Sequence, residues 1–340
     1  MNRFSWTSPR SVAEAAELAS VTVADAMSGA APAGHAAFVV KAGGVDLLDL
    51  MKEGLVEPEG LVGLGALGEL QAIAAAPDGG LRLGATVTLD RLARDPIVAQ
   101  RYPALARAAG TSASPQIRNL ATLGGNLLQR PRCWYLRAAE YRCLRKGGGH
   151  CFAIAGESQY HAIFDNHPCA IVHPSSLATA LVALGAGVVL ADPEGSQRRL
   201  PIEEFFVPVE RDAQRENVLQ AQEILLRIEL PAPPPGARMT YARSSQKSAF
   251  DWPLVEVAAV LEPAPDGSCR SARIVLGSVA PTPHRAHEAE RAIEGRRIDA
   301  ALAGEAGRAA VRGATPLAKN GYKVTLAATL VERALLELAA

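Results

Sequence analysis

Five cysteines occur in this chain of 340 residues, and four of them lie in one polar stretch between residues 130 and 170. The four are Cys133, Cys143, Cys151 and Cys169. Cys269 lies about a hundred residues further on. Four thiolates on one flexible loop can complete a [4Fe–4S] cluster, with one thiolate for each iron. The clustering therefore favours an iron–sulfur site in this stretch.

Other uses of four cysteines stay open at this point. Structural zinc also takes four thiolates, but its cysteines typically come in pairs with roughly two to four residues between them, and no such pair occurs here. Two disulfide bonds would need an oxidising compartment. The N-terminal sequence lacks the apolar core of a signal peptide and predicts a cytoplasmic protein. Unrelated free thiols are the weakest alternative, because they would be scattered along the chain.

Basic side chains crowd the same stretch. They are Arg130, Arg132, Arg137, Arg142, Arg145 and Lys146. Glu140 is their acidic neighbour in the sequence. A [4Fe–4S] core with four thiolates carries net negative charge, so nearby cations would ease its burial and raise its reduction potential. A solvated face or a docking patch for a partner would also explain these charges.

Two glycine pairs form a second set of candidate ligand-binding residues. The segment KAGGVDLL (41–48) follows a predicted strand and opens a helix, and ATLGGNLLQ (121–129) adds Thr122 and Asn126 to its glycines. Glycine lets the backbone approach a ligand closely, and a helix N-terminus presents unpaired N–H groups to an anion. Together the two loops predict a site for the two phosphates of a dinucleotide, with two unrelated turns as the alternative.

Apolar periodicity predicts the elements that must position these loops. We expect strands at 38–44, 61–65, 81–88, 223–231, 253–262 and 272–280, helices at 46–54, 69–76 and 322–338, and a helix, glycine break and strand across 175–192. The apolar residues of the final helix fall on one face, which suits packing onto a sheet. The proline-rich segment PAPPPG (231–236) predicts a stiff connector and a domain boundary.

Length and composition bound the class of protein. The length suggests two or three domains, and 49% apolar with 21% charged residues is typical of a soluble globular protein. The formal net charge is zero, so nothing indicates a nucleic-acid partner or an anionic membrane. No apolar run is long enough for a membrane span.

Four sequence segments, in order along the chain, resemble segments of the FAD-binding subunit of molybdenum hydroxylases. They are KAGGVDLLDLMK, SPQIRNLATLGGN, GSVAPTPHRAHEAE and NGYKVTLAATLVERAL. The family includes the medium subunits of carbon monoxide dehydrogenases and the flavin domain of xanthine dehydrogenases. The resemblance implies an α+β fold: a two-lobed FAD-binding domain of the vanillyl-alcohol-oxidase type over residues 1–230, with the cysteine insert at about 130–170, a linker at 231–236, and a smaller α+β domain over 237–340, similar to the C-terminal domain of the carbon monoxide dehydrogenase flavoprotein.

The resemblance also implies which residues bind FAD. The two glycine loops would surround the pyrophosphate, Ile224 would lie near the flavin ring, and Lys247 would neighbour it. Ser176 stands where the family usually carries an aspartate. The implied set is Ala42, Gly43, Gly44, Val45, Asp46, Leu47, Leu48, Thr111, Ser114, Thr122, Gly124, Gly125, Asn126, Ser176, Ile224 and Lys247. We assign no catalytic residue to this chain.

The cysteine insert is similar to that of the flavin subunit of heterotrimeric, periplasmic-type bacterial aldehyde oxidoreductases, whose four cysteines bind a [4Fe–4S] cluster. This resemblance implies the same ligand role for Cys133, Cys143, Cys151 and Cys169. His161 and His167 are expected to be surface or hydrogen-bonding histidines.

The implied function is electron transfer. A molybdenum-cofactor large subunit would oxidise an aldehyde or an N-heterocycle, a [2Fe–2S] small subunit would relay single electrons, and FAD in this chain would deliver them to an external acceptor. Export to the periplasm would require a partner that bears the signal. The alternatives are the flavin subunit of a hydroxybenzoyl-CoA reductase or of a xanthine dehydrogenase and, outside enzymes, a zinc-stabilised nucleotide-binding scaffold.

Overall fold

Three β-sheets form the framework of the computed structural model, which describes residues 2–29 and 36–340. The strands are β1 Ser5–Thr7, β2 Phe38–Lys41, β3 Gly60–Gly63, β4 Ile73–Ala75, β5 Leu81–Gly84, β6 Gly187–Ala191, β7 Gln197–Pro201, β8 Ile224–Leu230, β9 Arg238–Ser245, β10 Pro253–Pro263, β11 Cys269–Gly277 and β12 His284–Arg285. The α-helices are α1 Val12–Leu18, α2 Val23–Ser28, α3 Val45–Lys52, α4 Leu89–Arg94, α5 Pro96–Arg101, α6 Pro103–Thr111, α7 Pro115–Arg118, α8 Leu123–Leu127, α9 Trp134–Arg137, α10 Phe152–Ala155, α11 Ser176–Ala183, α12 Ile202–Phe205, α13 His287–Ile293, α14 Ala300–Ala310 and α15 Tyr322–Ala339. Short 3₁₀ turns cover Gly68–Gln71 and Leu144–Lys146.

Each sheet has its own topology. The first is parallel with the order β1-β3-β2. The second is antiparallel with the order β4-β5-β8-β6-β7, and the third is antiparallel with the order β12-β11-β10-β9. The first two sheets belong to the N-terminal part of the chain and the third to the C-terminal part. This mixture of helices and sheets confirms the predicted α+β fold.

The C-terminal sheet is covered on both faces. Along β10, Val257 and Ala259 belong to the core formed with α13, α14 and α15, whereas Ala258 belongs to the core around α6 and α11. Alternate strand residues point to opposite faces, so β10 joins two cores. The predicted apolar face of α15 is confirmed, because Val331 and Leu335 are buried against this sheet.

The connection between β8 and β9 runs through the proline-rich segment. Residues 231–237 form neither helix nor strand. The hydroxyl of Tyr102 donates a hydrogen bond of 2.8 Å to the carbonyl oxygen of Pro231 and fixes the start of this connection. The domain boundary at 231–236, and with it the division into 1–230 and 237–340, stays a prediction.

One predicted helix is wrong. Residues 69–76 form the end of a 3₁₀ turn and then strand β4, which pairs with β5 through Ile73 opposite Leu83 and Ala75 opposite Leu81. Alanine has the highest intrinsic helix propensity, but such propensities are small in energy, and pairing at a sheet edge overrides them here. Strand β5 also ends at Gly84, earlier than predicted, because the carbonyl of Gly84 accepts a hydrogen bond from the amide of Val87 in a turn.

The other predicted elements are confirmed, with ends shifted by at most three residues. In the segment 175–192, Gly185 makes the break between α11 and β6 with a φ of 66°. Glycine adopts this left-handed conformation without steric cost.

The insert at 130–170 differs from the flexible loop expected from the sequence. Ile163 and Phe164 are buried in the C-terminal core, and both amides donate to the carbonyl of Val279, at 2.8 and 3.1 Å. The buried ammonium of Lys323 donates to the carbonyls of Ser278 and His161, at 2.7 and 3.1 Å. The insert is therefore held by the C-terminal helix and sheet.

We predict that Gly307→Ala destabilises the protein, because a Cβ atom there would lie 2.4 Å from the carbonyl oxygen of Ala328, where α14 meets α15. The loss should be about 1–3 kcal/mol. Gly304→Ala is the matched control on the same helix, since its nearest neighbour is an Arg308 nitrogen at 3.5 Å, and alanine there should gain up to about 1 kcal/mol. Chemical denaturation of both variants measures the difference. Equal midpoints would contradict this packing.

Candidate functional site

The two glycine loops line one large cavity, which we call the loop cavity. Its volume is about 370 Å³, within the usual range for ligand pockets. The lining comes from the β2–α3 loop, the segment leading into α8, the start of β8 and the segments 215–224 and 250–253. Parts of the chain that are distant in sequence therefore meet around this cavity.

Glycine is required where the loops meet. A Cβ atom at residue 43 would lie 1.9 Å from the carbonyl oxygen of Leu120, in the loop that precedes the second glycine pair. Gly44 caps α3 with a φ of 80°. In the second loop, the Thr122 hydroxyl accepts a hydrogen bond of 3.1 Å from the Gly125 amide and fixes the start of α8. The close approach of the two backbones sets the shape of the cavity.

Polar groups face the loop cavity. The hydroxyl of Thr86 lines it and is buried without a hydrogen-bond partner among residues 2–29 and 36–340. A buried polar group of this kind normally has a partner, so Thr86 is suited to a ligand's hydrogen bond. Asn126 also lines the cavity, with its side-chain oxygen held by the Ser175 hydroxyl at 2.7 Å.

Most of the predicted FAD-contacting residues line this cavity. They are Ala42, Gly43, Gly44, Val45, Asp46, Leu47, Ser114, Thr122, Gly124, Gly125, Asn126, Ser176 and Ile224. Ser176, in the position of the expected aspartate, also lies beside the buried carboxylate of Glu256 in β10. Ser176 therefore lies between the cavity and the C-terminal sheet.

Three predicted residues are not among those that line the cavity: Leu48, Thr111 and Lys247. The side chain of Leu48 packs against the core beneath α3. The Thr111 hydroxyl donates to the carbonyl of Arg107 at 2.8 Å, within its own helix. Lys247 is exposed on the loop between β9 and β10. The structure thus does not support a direct contact by these three.

Sequence reasoning missed several residues of the lining. Glu216 and Trp252 come from loops and Arg243 comes from strand β9, and these segments carry no recognisable motif. The Arg132 guanidinium lies over the Trp252 ring, 4.7 Å from its centroid. Only the tertiary fold brings these segments to the cavity.

Asp46 contacts three of the arginines that lie near the cysteines in the sequence. Its carboxylate accepts from the Arg130 amide at 2.8 Å and from the Arg137 guanidinium at 2.7 Å, and it pairs with Arg132 at 3.0 Å. Asp49 also pairs with Arg132 and Arg137, at 3.2 Å in each case. The charges of Arg132 and Arg137 are therefore neutralised beside α3.

A buried charge group connects this region to the cysteines; it consists of Arg130, Glu216 and Arg145. Each side chain is at most 3% exposed. Glu216 accepts from Arg130 at 2.7 Å through one carboxylate oxygen and from Arg145 through the other. Arg130 and Glu216 line the loop cavity. Burial lowers the pKa of Arg130, against the effect of Glu216, which raises it.

A second, small cavity lies at the far end of this group, and we call it the cysteine cavity. Its lining consists of Cys133, Cys143, Cys151, Cys169, Arg145, Tyr135, Leu136, Leu144, Phe152 and Ile171. All four cysteines are free thiols. In the described ranges, no group of three or more histidine, cysteine, aspartate or glutamate side chains is arranged to hold a metal ion.

The thiols differ in acidity. The hydrogen bond between Cys151 and Cys169 lowers the pKa of Cys151 to about 6 and raises that of Cys169. Burial raises the pKa of Cys133 to about 11. The His161 ring nitrogen lies 3.2 Å from the Cys133 sulfur, and burial lowers the pKa of His161 to about 4. His161 is thus a hydrogen-bonding residue and buried, whereas His167 is exposed, as expected.

Two known families match the chain in sequence. Residues 2–233 match the FAD binding domain in molybdopterin dehydrogenase, and residues 240–338 match the CO dehydrogenase flavoprotein C-terminal domain. In the part of the chain that the structure describes, no helix has the length and apolar character needed to cross a membrane.

Individual relatives agree with these matches. The aldehyde oxidoreductase FAD-binding subunit PaoB of Escherichia coli is 38% identical over 251 residues, which cover 73% of this chain and 77% of PaoB. The carbon monoxide dehydrogenase medium chain of Hydrogenophaga pseudoflava is 27% identical and covers 98% of this chain and 96% of its own length. The crystal structure of quinoline 2-oxidoreductase from Pseudomonas putida 86 superposes with a TM-score of 0.73 at 26% identity, over 99% of this chain and 97% of the other.

We predict that Gly43→Ala weakens FAD binding at least tenfold, because the added methyl group would push the first loop away from Leu120. FAD retained after purification, measured by its absorbance near 450 nm and by fluorescence after release, reports the effect. Gly65→Ala is the control, since a Cβ atom there would meet nothing within 4 Å. Full FAD content in Gly43→Ala, at an unchanged melting temperature, would contradict the role of this contact.

Proposed function

This chain belongs to the FAD-binding subunits of the molybdopterin dehydrogenases, the molybdenum hydroxylases, and on that premise we propose that it is the FAD- and [4Fe–4S]-containing electron-transfer subunit of a molybdenum-dependent aldehyde oxidoreductase. In this proposal it receives electrons from a [2Fe–2S] small subunit. The small subunit receives these electrons from a large subunit that contains the molybdenum cofactor. An external acceptor then takes the electrons from FAD.

The loop cavity supports FAD as its ligand. The backbones of residues 43–44 and 124–125 line the cavity and can face a pyrophosphate, and the Thr86 hydroxyl, which has no partner among the described residues, can donate to FAD. FAD, when bound, accepts electrons singly or in pairs. The chain's own contribution is to bind this group, orient it and keep water from its buried side.

The observation that carries the cluster assignment is the common cavity of the four cysteines. Cys133 and Cys169 are separated by 35 residues and yet line the same cavity, while Cys269 lies in the C-terminal sheet. A zinc ion needs four sulfurs about 2.3 Å from one centre. A [4Fe–4S] cluster instead takes one thiolate at each of four irons. Four thiols that line one cavity match the one thiolate per iron that the cluster needs, which supports this proposal.

The similarity to PaoB supports the aldehyde oxidoreductase class. PaoB, named as an FAD-binding subunit of an aldehyde oxidoreductase, is 38% identical over a span that corresponds to most of the FAD-binding family match. We propose a cytoplasmic location, or a periplasmic one if a signal-bearing partner exports the complex.

We predict about four irons per chain in anaerobically purified protein, together with one FAD. Cys143→Ala should lose most of the iron, because one iron would lack its thiolate. Cys269→Ala is the matched control, since it removes a buried thiol of the C-terminal sheet that lies far along the chain. Iron analysis and the broad iron–sulfur absorbance measure the outcome. A colourless protein containing zinc, or equal iron in both variants, would rule out the cluster.

We also predict that the chain, tagged and purified from its native host, is accompanied by two further chains that together contain molybdenum and a [2Fe–2S] cluster. Metal analysis and mass spectrometry of the complex test this composition. Recovery of the chain with its FAD but without any molybdenum-containing partner would contradict the hydroxylase assignment.

A further inference from the structure

Arg145 differs from the other cations of the insert in where its charge lies. In the part of the chain that the structure describes, it is the one basic residue that lines the cysteine cavity. Arg132 and Arg137 are paired with Asp46 and Asp49 beside α3. Arg142, next to Cys143 in the sequence, is exposed. Of the basic run, Arg145 alone is thus both buried and adjacent to the thiols.

The hydrogen-bond donors of Arg145 are only partly used. One terminal nitrogen, Nη1, donates to Glu216. The other terminal nitrogen and Nε are buried and make no well-aligned hydrogen bond among the described residues, although the guanidinium lies beside the Cys169 thiol. A guanidinium is always charged and has five donors in a fixed fork, and leaving buried donors of a charged group unmatched is costly. These N–H groups are suited to an anionic acceptor in the cysteine cavity.

Glu216 fixes the position of this guanidinium. Its carboxylate binds Arg145 with one oxygen and Arg130 with the other, and Arg130 is anchored in turn by the carbonyl of Gln214 at 2.8 Å. Two guanidiniums and one carboxylate leave a net charge of +1 in a buried position. That charge complements the net negative charge of a cluster held by four thiolates.

We propose that Arg145 is a positioning residue for the iron–sulfur cluster, whose Nε and Nη2 groups donate hydrogen bonds to its sulfur atoms and thereby raise its reduction potential. This inference rests on the proposed function. A buried positive charge and hydrogen bonds to sulfur both stabilise the reduced, more negative state of a cluster.

The test is a redox titration of the cluster in the purified full-length protein with its partner chains. Electron paramagnetic resonance monitors the oxidation state of the cluster at each potential. Arg145→Gln should shift the one-electron equilibrium toward the oxidised cluster by about tenfold, which corresponds to about 59 mV lower potential. Arg145→Lys keeps the positive charge but loses the planar set of guanidinium donors, so the reduction potential of the cluster in this variant should fall by a smaller amount. Arg142→Gln removes an equal charge from the exposed neighbour of Cys143 and should leave the potential unchanged.

The iron content of the unmodified protein separates this inference from the proposed function. Iron-free wild-type protein would refute the proposed function itself. With the cluster present, a wild-type potential in Arg145→Gln, or equal shifts in Arg145→Gln and Arg142→Gln, would overturn the role of Arg145. Loss of iron from both Arg145 variants at a wild-type melting temperature, with Arg142→Gln still loaded, would support it, because the guanidinium would then be needed to hold the cluster.

Discussion

The relative position of the loop cavity and the cysteine cavity depends on one interaction, the pairing of the buried Glu216 carboxylate with two arginines. Removing a carboxylate and two guanidiniums from water is costly, and their mutual attraction repays the cost only when the geometry is good. Loss of one partner from such a group typically costs about 3–5 kcal/mol, because a charge is left buried alone. The three residues come from segments up to 86 residues apart. Their pairing therefore holds the loop cavity and the cysteine cavity in a fixed arrangement.

The loop cavity depends on a different constraint, which is steric. The backbones of Gly43 and Leu120 approach so closely that no side chain fits between them. This contact brings the parallel sheet β1-β3-β2 against the segment that leads into α8. Asp46, in the first turn of α3, then pairs with Arg132 and Arg137 of the insert. A glycine contact and a set of ion pairs thus connect the parallel sheet with the segment that carries the cysteines.

Local patterns were sufficient to predict most of the fold and the glycine loops. The apolar periodicity of strands β8 and β10 and of helix α15 predicts these elements without knowledge of their neighbours in the fold. The paired glycines likewise predict turns from the local sequence alone. The failures have a tertiary origin. Residues 73–75 became a strand because β5 offered an edge, and Lys247 is exposed although residues 250–253 of the same loop line the cavity. The pairing of the arginines with Asp46, Asp49 and Glu216 was beyond sequence reasoning, since it joins segments that share no motif.

The contacts of the insert with the C-terminal part have a consequence for biosynthesis. Asn320 donates to the carbonyls of His161 and Ala162, and Thr315 donates to the carbonyl of Ile163. These anchors are translated about 150 residues after the segment that they hold. The segment around residues 161–163 can therefore complete these contacts only after residues 315–320 have been synthesised.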